Sequence, residues 1–561
     1  MKNHETPFSR PTATQWGTFA RASVALLATS FAVAALLWPA SPEPTSLIVQ
    51  GPDMAAAAAA VRDVGGNVTH ELGIIRAVGA ELTPRQVDRL RSESGFAGRV
   101  FEDRVVEAVG KPAPDDTPAM PVVRRVEANR LHALNIDGRG VTIAVIDTGH
   151  YSHKALNNDP AGKGRVLANY DAILDQESEY NLYSETDESG HGAHVASVIL
   201  DSSNLGTNRE PVFRGLAPDA NLVTVRAFDR DGRGTYADVI RAIDWVLQKA
   251  DEHYIRVLNC SFSAPPRSHY WEDPLNQAVM RAWEAGIVVV ASAANEGPDP
   301  MTIGIPGNVP YVITVGAMTD HYTEEDGTDD RLASFSSTGP TWEGFVKPDV
   351  VAPGGHVEAL MKTSSQIALD HPEFQGSGAY FTMSGTSQAA AVVSGVAALV
   401  VQNDPSYMPD DVKCALMASA RTAQNPDGTT PYSVFQQGAG LVNAWDAVFG
   451  GQTGCANGGL DVTKDLDGTE HYGGPATRDE NGSFYLLDET GDGTTWDGGY
   501  SGSDGYPWSN GYPWSDGYPW SDGYPWSDGY PWSDGYPWSD GYPWSNGLAE
   551  PASINVWVPQ E

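Results

Sequence analysis

Between Pro121 and Gly450 the chain repeats one pattern of hydrophobic and polar positions. Short runs rich in β-branched residues, at Val141–Ile146, Leu222–Phe228, Val257–Phe262, Ile287–Ala291 and Val312–Val315, are apolar throughout rather than alternating, and most are bounded by Gly, Asp or Asn. Longer amphipathic stretches such as Tyr236–Ala250 and Pro274–Ala285 lie between them. A strand with no polar face is buried on both sides, so continuous apolar strands alternating with helices predict a parallel sheet flanked by helices, an α/β domain over residues 122–450. The stretch Tyr380–Val401 departs from the pattern: Ser384, Gly385, Thr386 and Ser387 lead into a run of Ala, Val and Leu that is apolar on every face. That predicts a tight turn entering a helix buried in the core.

Ahead of this domain, residues 46–109 predict a small α+β unit. It has a strand at Ser46–Gln50, a helix near Asp53–Val64, strands near Asn67–Leu72 and Ile74–Leu82, a helix at Pro84–Ser92 and one last extended run, Arg99–Val109. Pro and Asp in Gly110–Met120 then mark an exposed linker over 110–121, open to cleavage. At the N-terminus, residues 1–40 carry Lys2, Arg10 and Arg21 before the uncharged segment Ala22–Trp38, a basic region followed by an apolar one of 17 residues. This is the pattern of a signal peptide for secretion, with an uncleaved membrane anchor as the alternative. Beyond Gly450 the composition turns to Gly, Asp, Thr and Tyr. Residues 451–504 form an acidic Gly-rich segment, 505–546 are seven copies of the hexapeptide GYPWSD or GYPWSN, and 547–561 form a short tail.

Charge narrows the partners. With 35 basic and 72 acidic residues the formal net charge is −37, which excludes the clustered Lys and Arg that nucleic acid requires. Three cysteines, Cys260, Cys414 and Cys455, match no zinc or redox spacing. Cys414 and Cys455 are open to disulfide formation, and Cys260 reads as a buried free thiol. The seven Tyr-Pro-Trp units present rings with no aliphatic residue to pack them. They are expected either to contact a cell surface or polysaccharide or to act as an acidic spacer, and removal of everything beyond Gly450 is expected to spare the preceding domain and its chemistry.

The chemistry lies at the ends of the predicted strands. Asp147 closes VTIAVID and opens Asp-Thr-Gly at the carboxyl edge of the sheet, where α/β folds build sites. No second Asp-Thr-Gly exists to make an aspartic protease dyad, and the Gly-x-Gly-x-x-Gly of a nucleotide site is missing. His191 stands between two glycines at the start of a predicted helix, with His194 one turn on; the second His reads as structural, and a metal pair lacks a third ligand. Asn295 ends the run GIVVVASAAN, either as a turn former or as an amide donor to a developing oxyanion. Ser387 sits at the N-terminus of the buried helix, either as a cap or as a nucleophile in a setting that favours negative charge.

In the order Asp147, His191, Asn295, Ser387, the local sequences AVIDTG, HGAHVA, AANEG and GTSQAA resemble the subtilisin-like serine proteases, the subtilase family. The resemblance covers Val122–Phe449, including GLAPDA at Gly215–Ala220 and QGAGLVNAWDAV near the end. It implies a secreted serine endopeptidase acting on protein or peptide substrates, with Asp147, His191 and Ser387 as catalytic triad and Asn295 in the oxyanion hole. Substrate binding falls to Ser261, Phe262, Ser263, Gly232 and Gly234. Residues 46–109 resemble the family's inhibitory propeptide, which implies an autoprocessed zymogen with its own propeptide as a partner. The alternative makes adhesion or carbohydrate binding by the tail the main function. No cofactor is required for the chemistry; calcium is common in the family, although the acidic clusters at 171–179, 324–330 and 488–497 lack the spacing of a calcium loop. Two departures stand out. Family glycines in the substrate-lining segments are replaced by Ser263 and Ala294, which narrows the expected primary pocket.

Overall fold

The computed structural model describes residues 44–92, 98–108, 111–112, 122–178, 184–207, 211–320, 330–425, 429–479, 482–487, 493–494 and 512–513. The proposed signal segment, most of the linker and most of the hexapeptide array lie outside them.

The N-terminal unit is a four-stranded antiparallel sheet with two helices. Its strands are β1 (Thr45–Gln50), β2 (Asn67–Leu72), β3 (Ala77–Leu82) and β4 (Arg99–Glu102), in the order β2-β3-β1-β4. Helix α1 (Met54–Asp63) starts where the Asp53 side chain accepts a hydrogen bond from Ala56 N–H, and α2 (Pro84–Ser92) starts on its proline. The expected strand from Ile74 begins instead at Ala77, because Gly73–Ile75 form a helical turn that Arg76 ends in left-handed conformation at φ 56°. Leu47, Val49, Val61, Val78, Leu82 and Leu90 form a core of the unit's own.

The single extended run expected over Arg99–Val109 is two strands. After β4 the chain breaks at Asp103 and Arg104, resumes as β5 (Val105–Ala108), and contributes a further two-residue strand, β6 (Lys111–Pro112). The break has a long-range cause. Asp103 Oδ1 accepts from Ala237 N–H at 2.7 Å and Arg104 O accepts from Tyr236 N–H at 2.6 Å, so these two residues satisfy the free amides at the start of a helix more than 130 positions away. Arg104 also pairs with the buried Asp273, which caps another helix.

Among the described residues the main sheet has nine strands. Seven are parallel: β7 (Thr142–Asp147), β8 (Val166–Asp171), β9 (Asn221–Arg226), β11 (Ile255–Cys260), β13 (Val288–Ser292), β14 (Ile313–Thr319) and β15 (Val350–Pro353). Across the sheet they run β8-β9-β7-β11-β13-β14-β15, and two-residue antiparallel strands at 176–177 and 331–332 complete it. Every residue of β7, β13 and β14 is buried, as their unbroken apolar sequences require. Helices α4 (Tyr236–His253) and α5 (Pro274–Glu284) pack together against β7, β11 and β13; α3 (His191–Leu200) and α6 (Thr386–Asn403) pack together and cover strands from β7 to β15. Short strands β10 (Arg233–Thr235), β12 (Phe262–Ser263), β16 (Val357–Leu360) and β17 (Tyr380–Ser384) stand outside the main sheet. Strand β5 inserts antiparallel between β10 and β12, and β6 pairs with β17.

The residues after Gly450 do not leave the domain at once. Cys455 is disulfide-bonded to Cys414 on α7 (Pro409–Ser419), and Cys260 is a buried free thiol. In α8 (Val462–Asp467) the buried Asp465 accepts from the hydroxyls of Tyr270 at 2.5 Å and Tyr311 at 3.1 Å. Tyr472, Ala476 and Leu486 are buried in the same core cluster as the main sheet. The segment expected as a separate acidic stretch from 451 is thus packed against the α/β domain up to Leu486, because its few apolar and aromatic residues find partners on α5 and the 270–271 turn that a composition count cannot show.

Candidate active site

Asp147 ends β7, an interior strand of the sheet, and its side chain is buried. Its Oδ1 accepts from Thr148 N–H at 2.8 Å and pairs with His191 Nδ1 at 2.7 Å. His191 is the first residue of α3 and is itself buried, so the ring is held by a carboxylate on one nitrogen in a setting of low dielectric. The glycines beside it are there for close approach. A β-carbon on Gly192 would sit 2.9 Å from Gly149 O, so only glycine lets the turn after Asp147 press against the helix that starts at His191.

His194 lies one turn further and plays no part in this pair. Its Nε2 bonds to Phe381 O at 3.0 Å, its Nδ1 faces Gln388 Nε2 at 3.3 Å, and burial pushes its pKa down to about 3. It is neutral and fully engaged, as a structural second histidine is.

Ser387 is the second residue of α6 and is buried. It is tied to Ser261 in both directions: Ser387 Oγ donates to Ser261 O at 3.1 Å, and Ser261 Oγ donates to Ser387 O at 3.0 Å. Ser261 Oγ also accepts from Asn259 Nδ2 at 2.8 Å, and Asn259 Oδ1 accepts from Ser394 Oγ at 2.8 Å. Asn259 and Ser394 are additions that the sequence did not signal, since each is an ordinary polar residue inside a strand or a helix.

Asn295 approaches from the end of β13. Its Oδ1 accepts both Thr386 N–H at 3.0 Å and Thr386 Oγ1 at 2.9 Å, which leaves Nδ2 buried and without a partner among the described residues, beside the serine turn. A buried donor left free is costly, about 1–3 kcal/mol, and such groups are retained where something else is to be bound.

Of the expected substrate-binding residues, Gly234 pairs with Val106, Phe262 with Ala108 and Ser263 with Glu107. Ser261 lies next along that edge, against Ser387. Gly232 falls in the turn before β10 and is not in the ladder, with φ 72° and its N–H on Asp229 O. Phe262 is buried with its ring 5.2 Å from that of Phe228.

Among the described residues no group of three or more His, Cys, Asp or Glu is placed to hold a metal ion. In the 171–179 cluster Asp171 is engaged by Arg226 at 2.9 Å, and most of 324–330 and 488–497 lies outside the described residues. No helix among the described residues is long and apolar enough to cross a membrane.

Comparison with known proteins bears on the same elements. The subtilase family model matches residues 138–440. Serine protease AprX of Bacillus subtilis is 37% identical over 381 residues, covering 67% of this chain and 80% of that protein. Subtilisin E of Bacillus subtilis is 29% identical over 385 residues, covering 68% of this chain and 83% of that protein. The solved structure of fervidolysin from Fervidobacterium pennivorans, described as a keratinolytic enzyme related to subtilisin, superposes with a TM-score of 0.58 over 82% of this chain and 69% of its own at 23% identity, a likeness of fold. A family model spanning more than half the chain and a relative this similar agree with the sheet order and the motif order: the chain belongs to the subtilase family of subtilisin-like serine proteases.

Proposed function

We propose that the chain is a secreted serine endopeptidase, made as a zymogen, in which Ser387 attacks the peptide carbonyl. His191 takes the Ser387 proton on Nε2, while Asp147 fixes the ring tautomer through Nδ1 and stabilises the imidazolium that forms. For this the Ser387 hydroxyl turns from Ser261 O toward His191. The oxyanion is received by Ser387 N–H and Asn295 Nδ2, aided by the positive end of α6. The imidazolium then protonates the leaving amine, and water repeats the sequence on the acyl-enzyme. The observation that carries this reading is the buried 2.7 Å Asp147–His191 pair at the mouth of a sheet edge shared with Ser387.

Residues 46–109 act in this reading as an inhibitory propeptide. Strand β5 lies between β10 and β12 as an extended peptide, and β6 continues on β17, the strand that leads into Ser387. The two described strands thus flank the nucleophile, with Ala108 paired to Phe262 and Lys111 to Ser384. In this reading the bond cut in maturation lies between Ala108 and Lys111, at the start of the expected linker.

Ser387→Ala tests both parts. The variant is expected to lose hydrolysis of a chromogenic peptide and to accumulate at precursor length, while N-terminal sequencing of the mature wild-type enzyme finds a start between residues 109 and 111. Hydrolysis above background by purified Ser387→Ala would overturn the triad, and a mature N-terminus beyond residue 121 would overturn the propeptide register.

A further inference from the structure

We infer that Asp187 is a positioning residue of the catalytic site, fastening the turn that carries the acid to the helix that carries the base; the inference rests on the triad reading above. Asp187 lies in the loop before α3 and is buried. Three donors converge on its carboxylate: Oδ1 accepts from Thr148 Oγ1 at 2.8 Å and from Gly190 N–H at 2.7 Å, and Oδ2 accepts from Ala193 N–H at 2.7 Å. Gly190, the residue at the helix cap, has no side chain to satisfy the first amides of α3, so Asp187 does this from three residues upstream.

Thr148 completes the link. Its hydroxyl donates to Asp187 and accepts from Gly192 N–H at 2.8 Å, while its own N–H bonds to Asp147 Oδ1, the oxygen that also holds His191 Nδ1. Asp187 therefore joins both members of the Asp147–His191 pair through short bonds within one buried cluster. The fit admits little movement, since a β-carbon on Gly149 would sit 2.8 Å from Asp187 N. A carboxylate is required here. An amide has one accepting oxygen, and its NH₂ would face the Ala193 N–H or the Thr148 and Gly190 donors.

Asp187 also adds negative charge near the imidazole. Burial pushes its carboxyl pKa up, and its donors oppose this, with Asp147 adding a smaller push upward. Among the described residues the other titratable groups on elements packed against α3 are Asp147 on β7, Glu358 on β16, which is paired with Arg214, Tyr380 on β17, whose hydroxyl donates to Asp201, and Lys154 on the short helix 154–157; α6 carries no charged residue, and His194 on α3 itself is neutral. Removal of the Asp187 charge leaves the His191 imidazolium less stabilised.

The test compares Asp187→Asn, Thr148→Val and Thr148→Ser with the wild type, each matured to the same N-terminus and checked for cooperative thermal unfolding. Asp187→Asn is expected to lower kcat roughly tenfold to a hundredfold, the scale of a reacting-group misplacement, with KM within about twofold. The acid limb of its kcat/KM profile is expected to move to lower pH, and the low-field proton resonance of His191 Nδ1–H to broaden or shift. Thr148→Val should lose kcat in the same direction and Thr148→Ser should restore it. A folded Asp187→Asn with wild-type kcat and acid limb overturns the inference. If Asp187→Asn does not fold, a Thr148→Val enzyme with unchanged kcat and an unshifted resonance overturns it instead. Failure of the triad reading is distinguishable, because a fluorophosphonate would then leave Ser387 unlabelled in the wild type.

Discussion

Ala294 precedes the proposed oxyanion donor in a conformation that alanine resists. Its φ is +88°, in the left-handed region, where a β-carbon costs on the order of 1–3 kcal/mol. The surroundings accommodate it through a third residue. A β-carbon on Gly304 would lie 2.9 Å from the Ser263 β-carbon and 3.2 Å from that of Ala294, so the two added side chains converge over the space that Gly304 leaves open. These are the two positions where the resemblance leads one to expect glycine, and in the proposed reading both belong to the walls of the primary pocket. Ala294→Gly and Ser263→Gly together are therefore expected to raise kcat/KM for a large aromatic residue before the cut bond, relative to alanine there, by roughly tenfold to two hundredfold, the range one or two methylenes command. A peptide series varied at that residue measures it, and an unchanged preference shows that the pocket is closed by something else. Ala294→Gly alone should not lower the melting temperature, since relief of the positive φ offsets the extra freedom of glycine in the unfolded chain.

At the scale of elements, what was legible in the sequence is what local pattern dictates. The strands β7, β9, β11, β13 and β14 announced themselves by unbroken apolar runs, and α6 by apolarity on every face, so the sheet, the buried serine helix and the four motif residues at its edge could be placed in advance. What stayed hidden is set by distant partners. The break at Asp103 and Arg104 exists because α4 needs its first amides satisfied, and nothing near Asp103 says so. Asp187 could have been found as a cap residue three positions before the expected helix, but its bond to Thr148 could not. A third case is the buried cluster where Lys347 from the turn before β15 and Lys413 from α7 share Asp349, at 2.6 and 3.0 Å. Burial, reinforced by Lys413, brings the Lys347 pKa down to about 7, against the pull of Asp349. The sign follows from proton uptake. Between this value and the ordinary lysine pKa near 10.4 the unfolded chain holds a proton that folded Lys347 does not, so stability rises with pH across that window and the gain is absent below it. Thermal unfolding is expected at higher temperature at pH 9 than at pH 7, with a shallower rise in Lys347→Met. A rise of equal slope in the variant would place its origin in other groups.

For the whole molecule, the boundary of the catalytic unit follows packing rather than composition. The family match ends at residue 440 and the change in composition begins at Gly450, yet the following residues supply structure that the domain uses. The Cys414–Cys455 disulfide closes a separation of 41 residues, worth about 4 kcal/mol on the chain-entropy estimate. Asp465 is the acceptor for two buried hydroxyls, those of Tyr270 and Tyr311, and each would cost about 1–3 kcal/mol if left unpaired. Around it, Trp271 is stacked between the rings of His269 at 4.4 Å and His471 at 4.6 Å. Together these contributions rival the 5–15 kcal/mol that separates most folded domains from their unfolded chains. The tail beyond 504 is different, since its described contact is a two-residue pairing of Tyr512–Pro513 with Tyr472–Gly473. Truncation after Gly450 is therefore expected to lower the melting temperature sharply or prevent maturation, against the simpler expectation that everything beyond it is dispensable. Truncation after Asp504 should keep both the melting temperature and the turnover of a small chromogenic peptide near those of the full chain, while reducing retention on a polymeric substrate if the aromatic repeats bind one. Matched thermal scans and peptide assays on the two truncations decide the point: equal stability of both would return the boundary to Gly450, and loss of peptide turnover on removal of 505–561 alone would make the repeats part of the catalytic fold.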